Sequence, residues 1–191
     1  MFVKICGITN REDALAAVDA GARALGFIFC ESSPRRVTAE QIAPWAHEIP
    51  SHVWKVGVFV DEAPERIEQI AAQLRLDIVQ LHGAETPDRH PRGISVWKAF
   101  RVNANQTQIP DYPAEAILID GAAYDWSKTA HLTRPLILAG GLQPGNVREA
   151  IERTRRTREI WAVDVASGVE KSPGRKDHAR MKEFIEAALH P

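Results

Sequence analysis

The chain has 191 residues, 45% of them hydrophobic and 26% charged, a balance that excludes disordered, collagenous and fibrous proteins. At this length one domain can remove roughly 70% of its unfolded surface from water, so a single unit over residues 1–191 is expected. The 24 Lys and Arg against 25 Asp and Glu leave a net charge of -1, which excludes a global field for nucleic acid or anionic lipid and makes any anion site local.

Short runs rich in Val, Ile, Leu and Phe recur at regular spacing and predict eight buried parallel strands, at 3–8, 24–29, 54–59, 78–82, 95–100, 116–120, 136–139 and 160–165. After the first, Thr9 and Glu12 have the spacing of a capping box, opening a helix over 11–20 that stops at Gly21. Thr38 and Gln41 repeat the device before a helix that places Ile42, Trp45, Ala46 and Ile49 on one face. Pro64 starts a third, with Ile67, Ile70, Ala71 and Leu74 at the same spacing. Segments 86–90, 103–107 and 127–132 are short or polar and predict abbreviated helices or loops. Pro144 opens a helix carrying Val147, Ala150 and Ile151, and the last helix presents Met181, Phe184, Ile185, Ala188 and Leu189.

Eight strand-then-helix units without a composition break predict an α/β fold, a minimal (β/α)8 TIM barrel with abbreviated helices after strands 4–6. An open Rossmann or flavodoxin-like sheet needs fewer strands and would carry a Gly-rich loop where this chain has Cys6-Gly7-Ile8-Thr9.

Two cysteines, Cys6 and Cys30, are too few for a disulfide framework and stand outside any Cys-x-x-Cys pair, which favours a reducing cytoplasm. Apolar stretches such as 24–30 fall far short of the about 18 residues of a membrane span, and Lys4 stands where a signal core would be apolar. A cytoplasmic protein with no nucleic-acid or membrane partner is expected. The seven histidines show neither His-x-His nor His-Glu-x-x-His spacing, and no coenzyme fingerprint occurs, so neither metal nor cofactor is expected.

Strand alternation sorts the polar residues embedded in the apolar runs. Lys4 and Cys6 share a face, Gln80 and His82 share another, Asp120 ends the sixth strand, and Asp164 interrupts the eighth. Taken singly, a buried Cys is most often an inert hydrophobe, the reading that Cys30 keeps; a strand-end His is usually a satisfied core residue, and Asp120-Gly121 is a good turn. Together, Cys6, His82 and Asp120 at the C-terminal ends of three strands form a nucleophile or base, an imidazole and an acid at one barrel mouth. Gly140-Gly141 after strand seven and Ser167-Gly168 after strand eight stand where phosphate-handling barrels offer backbone N–H groups to a dianion; as isolated turns they would carry little. Ser33-Pro34-Arg35-Arg36 brings two guanidinium groups to the same mouth, either solvated or as a carboxylate fork.

These motifs resemble phosphoribosylanthranilate isomerase of tryptophan biosynthesis. The resemblance rests on Lys4-Ile5-Cys6-Gly7-Ile8-Thr9, Gln80-Leu81-His82-Gly83 and Ala139-Gly140-Gly141-Leu142, and continues through Ser33-Pro34-Arg35, Asp125-Trp126, Ser167-Gly168-Val169-Glu170 and Gly174-Arg175-Lys176-Asp177. It implies a cofactor-free Amadori rearrangement of N-(5-phosphoribosyl)anthranilate to 1-(2-carboxyphenylamino)-1-deoxyribulose 5-phosphate. It further implies Asp120 as general acid on the furanose oxygen and Cys6 as general base at C2′, its thiolate favoured by Lys4, with the protonated form of Asp120 favoured by desolvation in the closed, ligand-bound site. Arg35 would bind the anthranilate carboxylate, Gly140, Gly141, Ser167 and Gly168 the phosphate, and His82 and Asp177 would orient groups around the substrate.

The chain departs from the family pattern where only Gly121-Ala122-Ala123-Tyr124 separates Asp120 from Asp125, a cut-down Gly-rich loop, and where Ala166 replaces a frequent Ser and Cys30 a common aromatic. The related histidine-pathway isomerase would carry an Asp in place of Cys6, and a binding barrel without catalysis would not need to keep both Cys6 and Asp120. A monomer acting on a small phosphorylated molecule is expected.

Overall fold

The computed structural model describes residues 1–102, 109–110, 112–121, 129 and 131–190. Eight parallel strands close into a barrel in sequence order: β1 (Phe2–Cys6), β2 (Ala24–Ile28), β3 (Trp54–Phe59), β4 (Ile78–Leu81), β5 (Ser95–Arg101), β6 (Ala116–Asp120), β7 (Leu136–Ala139) and β8 (Ala162–Val165). The seam closes where β1 pairs β8, in a register that sets Lys4 opposite Asp164. Alternation divides the apolar residues between two cores. Val3, Ile5, Leu25, Phe27, Val79 and Leu81 point outward to the helices, whereas Ala24, Val56, Ile78, Trp97, Leu118, Ile137 and Ala162 fill the barrel itself. The lower end is plugged by Phe2, Trp54, Trp97 and Trp161, whose indole pairs lie 5.5–6.2 Å apart between ring centroids. No helix among the described residues is long and apolar enough to cross a membrane.

The helices are α1 (Arg11–Asp19), α2 (Ala39–Ile42), α3 (Pro64–Leu74), α4 (Val147–Arg155) and α5 (His178–Leu189). Helix α3 follows the expectation: Pro64 occupies the first turn, where its missing N–H costs nothing, and Ile67, Ile70, Ala71 and Leu74 are buried. Each of the larger three contributes roughly 1.5–3 kcal/mol of burial. The capping box on Thr38 and Gln41 is also present, but α2 is a single turn. Pro44 cannot continue it, and the chain passes to a 3-10 turn at Ala46–Glu48 that still directs Ala46 and Ile49 inward. Two helix starts move. Asn10, not Thr9, caps α1 by accepting from the N–H of Asp13, and α4 begins after Asn146 rather than at Pro144, which lies in the preceding turn.

After β4 stands only the 3-10 turn Pro87–Arg89, the abbreviated element expected there. Segment 103–107 and residues 127, 128 and 130 of segment 127–132 lie outside the described residues. A feature the sequence patterns did not suggest is an antiparallel hairpin between β8 and α5, formed by β9 (Glu170–Ser172) and β10 (Arg175–Lys176).

Candidate active site

The C-terminal ends of the strands surround a cavity of about 540 Å³. Cys6, Arg35, His82, Asp120, Gly140, Gly141, Ser167 and Gly168 all line it. Asp177 does not: its carboxylate accepts from the N–H of Arg180 and caps α5. Cys30, read as an inert buried thiol, instead stands half-buried on the cavity wall with Sγ 3.2 Å from Ser32 Oγ. Of the expected short loop 121–124, only Gly121 is among the described residues; 122–124, and 125 after them, lie outside.

Cys6 ends β1 above Lys4, which is fully buried inside the barrel with Nζ 2.7 Å from Asp164 Oδ1. Gly26 on β2 makes room for both groups, because a Cβ there would meet Cys6 Sγ at 2.8 Å and Lys4 Nζ at 3.0 Å. Burial pushes the Cys6 thiol above its ordinary value; Lys4 pulls it down, but Asp164 adds to the upward push and the net shift is upward. The expected lowering by Lys4 therefore exists as a force and does not prevail in the unliganded site. Lys4 stays charged, since Asp164 and Cys6 outweigh the downward push of its own burial.

Asp120 ends β6 with Oδ2 3.3 Å from His82 Nε2 and 3.8 Å from Arg101 Nε. The His82 contact is electrostatic: Nε2 is buried without a formed hydrogen bond, so the carboxylate lies out of line with the ring N–H. The His82 ring, aided by Arg101, holds the Asp120 carboxyl below the ordinary range against the opposing push of burial. In the unliganded site these two neighbours win over partial burial; the expected desolvation belongs to the closed, ligand-bound site. Arg101, extended from the end of β5 into solvent, was not singled out from the sequence.

Arg35 meets a carboxylate already. Its Nε and Nη2 donate to Glu170 Oε1 and Oε2 at 2.8 and 2.7 Å, a bidentate fork. Glu170 Oε1 also takes Lys176 Nζ at 2.9 Å, and Lys176 donates in turn to the Cys6 and Ala166 carbonyls. The β9–β10 hairpin thereby ties the Arg35 loop to the backbone of β1. Arg35 Nη1 takes no part in this fork. Across the cavity, Gly140 has φ +87°, and a Cβ there would lie 2.2 Å from the nitrogen of Gly121, so the backbone of β7 can approach β6 this closely only without a side chain.

A family model described as N-(5'phosphoribosyl)anthranilate (PRA) isomerase matches residues 3–187. The chain belongs to the phosphoribosylanthranilate isomerase family. It is 47% identical over 203 aligned positions to the N-(5'-phosphoribosyl)anthranilate isomerase of Geobacter sulfurreducens, with 97% of each chain covered. Among solved structures, it superposes with TM-score 0.85 and 39% identity on a phosphoribosyl anthranilate isomerase in complex with reduced 1-(o-carboxyphenylamino)-1-deoxyribulose 5-phosphate, covering 100% of both chains. The isomerase of Thermus thermophilus gives TM-score 0.88 and 37% identity over 99% of this chain and 98% of that one. Membership of the isomerase family agrees with the motif resemblance and with the closed parallel barrel. Within this family member, the residues the sequence patterns missed are Arg101, Glu170 and Lys176. Glu170 and Lys176 flank Ser172-Pro173-Gly174, a turn signal that could have revealed the hairpin holding them.

Proposed function

We propose that this chain converts N-(5-phosphoribosyl)anthranilate into 1-(2-carboxyphenylamino)-1-deoxyribulose 5-phosphate by general acid and base catalysis. The observation that carries the reading is that Cys6 and Asp120 face one cavity, in a chain of this family, with Arg35 and two glycine-bearing loops on its wall. Asp120 gives its proton to the furanose oxygen as the anilino nitrogen pushes out the C1′–O bond, leaving an open-chain iminium. The Cys6 thiolate then removes the C2′ proton, and the C–H electrons form the C1′=C2′ bond of an enaminol. Reprotonation at C1′ and loss of the enol proton give the ketone. Hydrogen moves from C2′ to C1′ with no net oxidation, so the route needs no cofactor.

Arg35 Nη1 pairs with the anthranilate carboxylate, while the backbone around Gly140, Gly141, Ser167 and Gly168 receives the phosphate. Asp177 acts at one remove, as the cap of α5 next to Lys176. We place the protein in the cytoplasm as a monomer; Met1, Val60 and Leu189 are the only exposed large apolar side chains among the described residues, which supports an unpartnered surface. Loss of substrate fluorescence on turnover tests the activity. Cys6→Ser and Asp120→Asn are each expected to lower kcat by roughly 10²–10⁴-fold with little change in KM. Near-wild-type kcat in either folded variant removes that residue from its role.

A further inference from the structure

Two cations share one carboxylate beside Cys6. Arg35 donates to both oxygens of Glu170, and Lys176 Nζ reaches Oε1 of the same group at 2.9 Å. The Glu170 side chain is 5% exposed and that of Lys176 0%, so solvent screens these charges little. Lys176 Nζ also donates to the carbonyls of Cys6 at 2.7 Å and Ala166 at 3.1 Å. Burial pushes Lys176 down, but three acceptors surround Nζ and a neutral amine has only two N–H bonds, so the geometry requires the ammonium. Arg35 packs on the same turn of the chain: Gly7 has φ +73°, and a Cβ there would meet Arg35 Cδ at 2.5 Å. The Arg35–Glu170–Lys176 group thus carries one positive charge in excess, held against the backbone of Cys6 and Gly7.

The other charges near Cys6 are balanced. Lys4 of β1 is paired with Asp164 of β8 at 2.7 Å, and Gly26 of β2 brings none. On α1, Asp13 accepts the Lys176 backbone N–H and gives its remaining hydrogen bonds to His178 and Asn10. Across the cavity, Asp120 stands between His82 and Arg101. We propose that Lys176 and Glu170 are positioning residues that set the charge beside Cys6: Lys176 supplies the excess positive charge that favours the thiolate, and Glu170 limits that excess while it holds Arg35 in place. This rests on the role of Cys6 proposed above and adds to it the groups that govern its ionisation. Burial pushes the Cys6 thiol up, and Lys176 works with Lys4 against that push.

The test separates charge from structure by making variants that break the same contacts with opposite effects on the charge. Cys30→Ser in every protein leaves Cys6 as the one thiol of the chain. Its alkylation by iodoacetamide at neutral pH, without ligand, then follows the share of thiolate. Glu170→Gln raises the excess by one charge and is expected to speed alkylation roughly 3–10-fold; Lys176→Met removes the excess and is expected to slow it by a similar factor. The double variant Glu170→Gln, Lys176→Met loses both groups yet keeps one uncompensated cation, Arg35, and its rate should return close to that of the parent. Lys176→Arg serves if the Met variants do not fold, since it keeps the charge and should hold the parent rate. Absorbance of the thiolate near 240 nm, followed across pH, should show the midpoint moving down in Glu170→Gln and up in Lys176→Met. Single variants that both slow alkylation, that both leave it unchanged, or a double variant as slow as Lys176→Met overturns the proposal. Alkylation that follows the charge in a protein that does not turn over phosphoribosylanthranilate overturns the proposed function and leaves the charge balance standing.

Discussion

At the residue scale, the unliganded site favours the opposite protonation to the one the chemistry needs. Burial pushes the Cys6 thiol up, and His82 with Arg101 holds Asp120 down, so the resting pair is thiol and carboxylate. The productive pair, thiolate and carboxylic acid, carries the same single proton. Its share is small but constant wherever one proton is bound between them. The pH profile of kcat/KM is therefore expected to be level through the neutral range, falling only below the depressed Asp120 value and above the raised Cys6 value. Initial rates across pH check this, and a further limb inside the neutral range would show that Cys6 and Asp120 do not share the one proton. Strand parity was enough to bring Cys6, His82 and Asp120 to one mouth from the sequence. It could not show that Arg35 already grips Glu170, because that pair is 135 positions apart and depends on a hairpin whose strands are two and three residues long. Nor could it weigh Lys4 against Asp164 at Cys6, since the outcome turns on a register across the seam of the closed barrel.

At the element scale, the turn after β4 is anchored by a buried ion pair. Lys98 Nζ lies 2.6 Å from Glu85 Oε2 and donates to the Gly83 carbonyl, while Glu85 accepts from the N–H groups of Asp61 and Gly83. Both side chains are at least nine-tenths buried. Lys98→Met leaves the Glu85 carboxylate buried without its cation and is expected to cost roughly 3–5 kcal/mol in urea unfolding. Adding Glu85→Gln should recover part of that loss, and a double variant as weak as the single one would show that the two charges are not coupled. Helices were legible where one signal governed them, as with Pro64 before α3. They were misread where two signals competed. Thr9 with Glu12 and Asn10 with Asp13 share the same spacing, and the choice falls to Asn10 because the Thr9 hydroxyl is spent on the Gly174 carbonyl, 165 residues away.

At the scale of the whole molecule, acidic side chains join distant segments. Burial pushes Asp13, Glu85 and Glu170 up, but the Lys176 N–H and His178 around Asp13, Lys98 at Glu85, and Arg35 with Lys176 at Glu170 outweigh it and hold all three below their ordinary values. A carboxyl with a depressed folded value contributes stability that is present above its unfolded value, about 3.8 for Asp and 4.5 for Glu, and is lost as pH falls through the folded one. The unfolding free energy is expected to be insensitive to these groups at neutral pH and to decline steadily below pH of about 4.5. Urea titrations at a series of pH values check this; flat stability across the acidic range would show that the three carboxyls titrate alike in both states. The eight-strand closure itself was readable from the count and spacing of apolar runs, because each strand is buried on both faces and leaves a mostly apolar run.

The plug of Phe2, Trp54, Trp97 and Trp161 sits at the end of the barrel away from the chemistry, and its three indoles, on β3, on β5 and just before β8, are far apart in the chain. Rings this close share their electronic excitation, so light absorbed by one is emitted by another with its polarisation lost, and their transitions combine into a paired circular dichroism band. That signal exists only while the closed barrel brings the starts of β3, β5 and β8 together around Phe2. The molecule thus carries a built-in optical gauge of barrel closure at the end opposite the cavity.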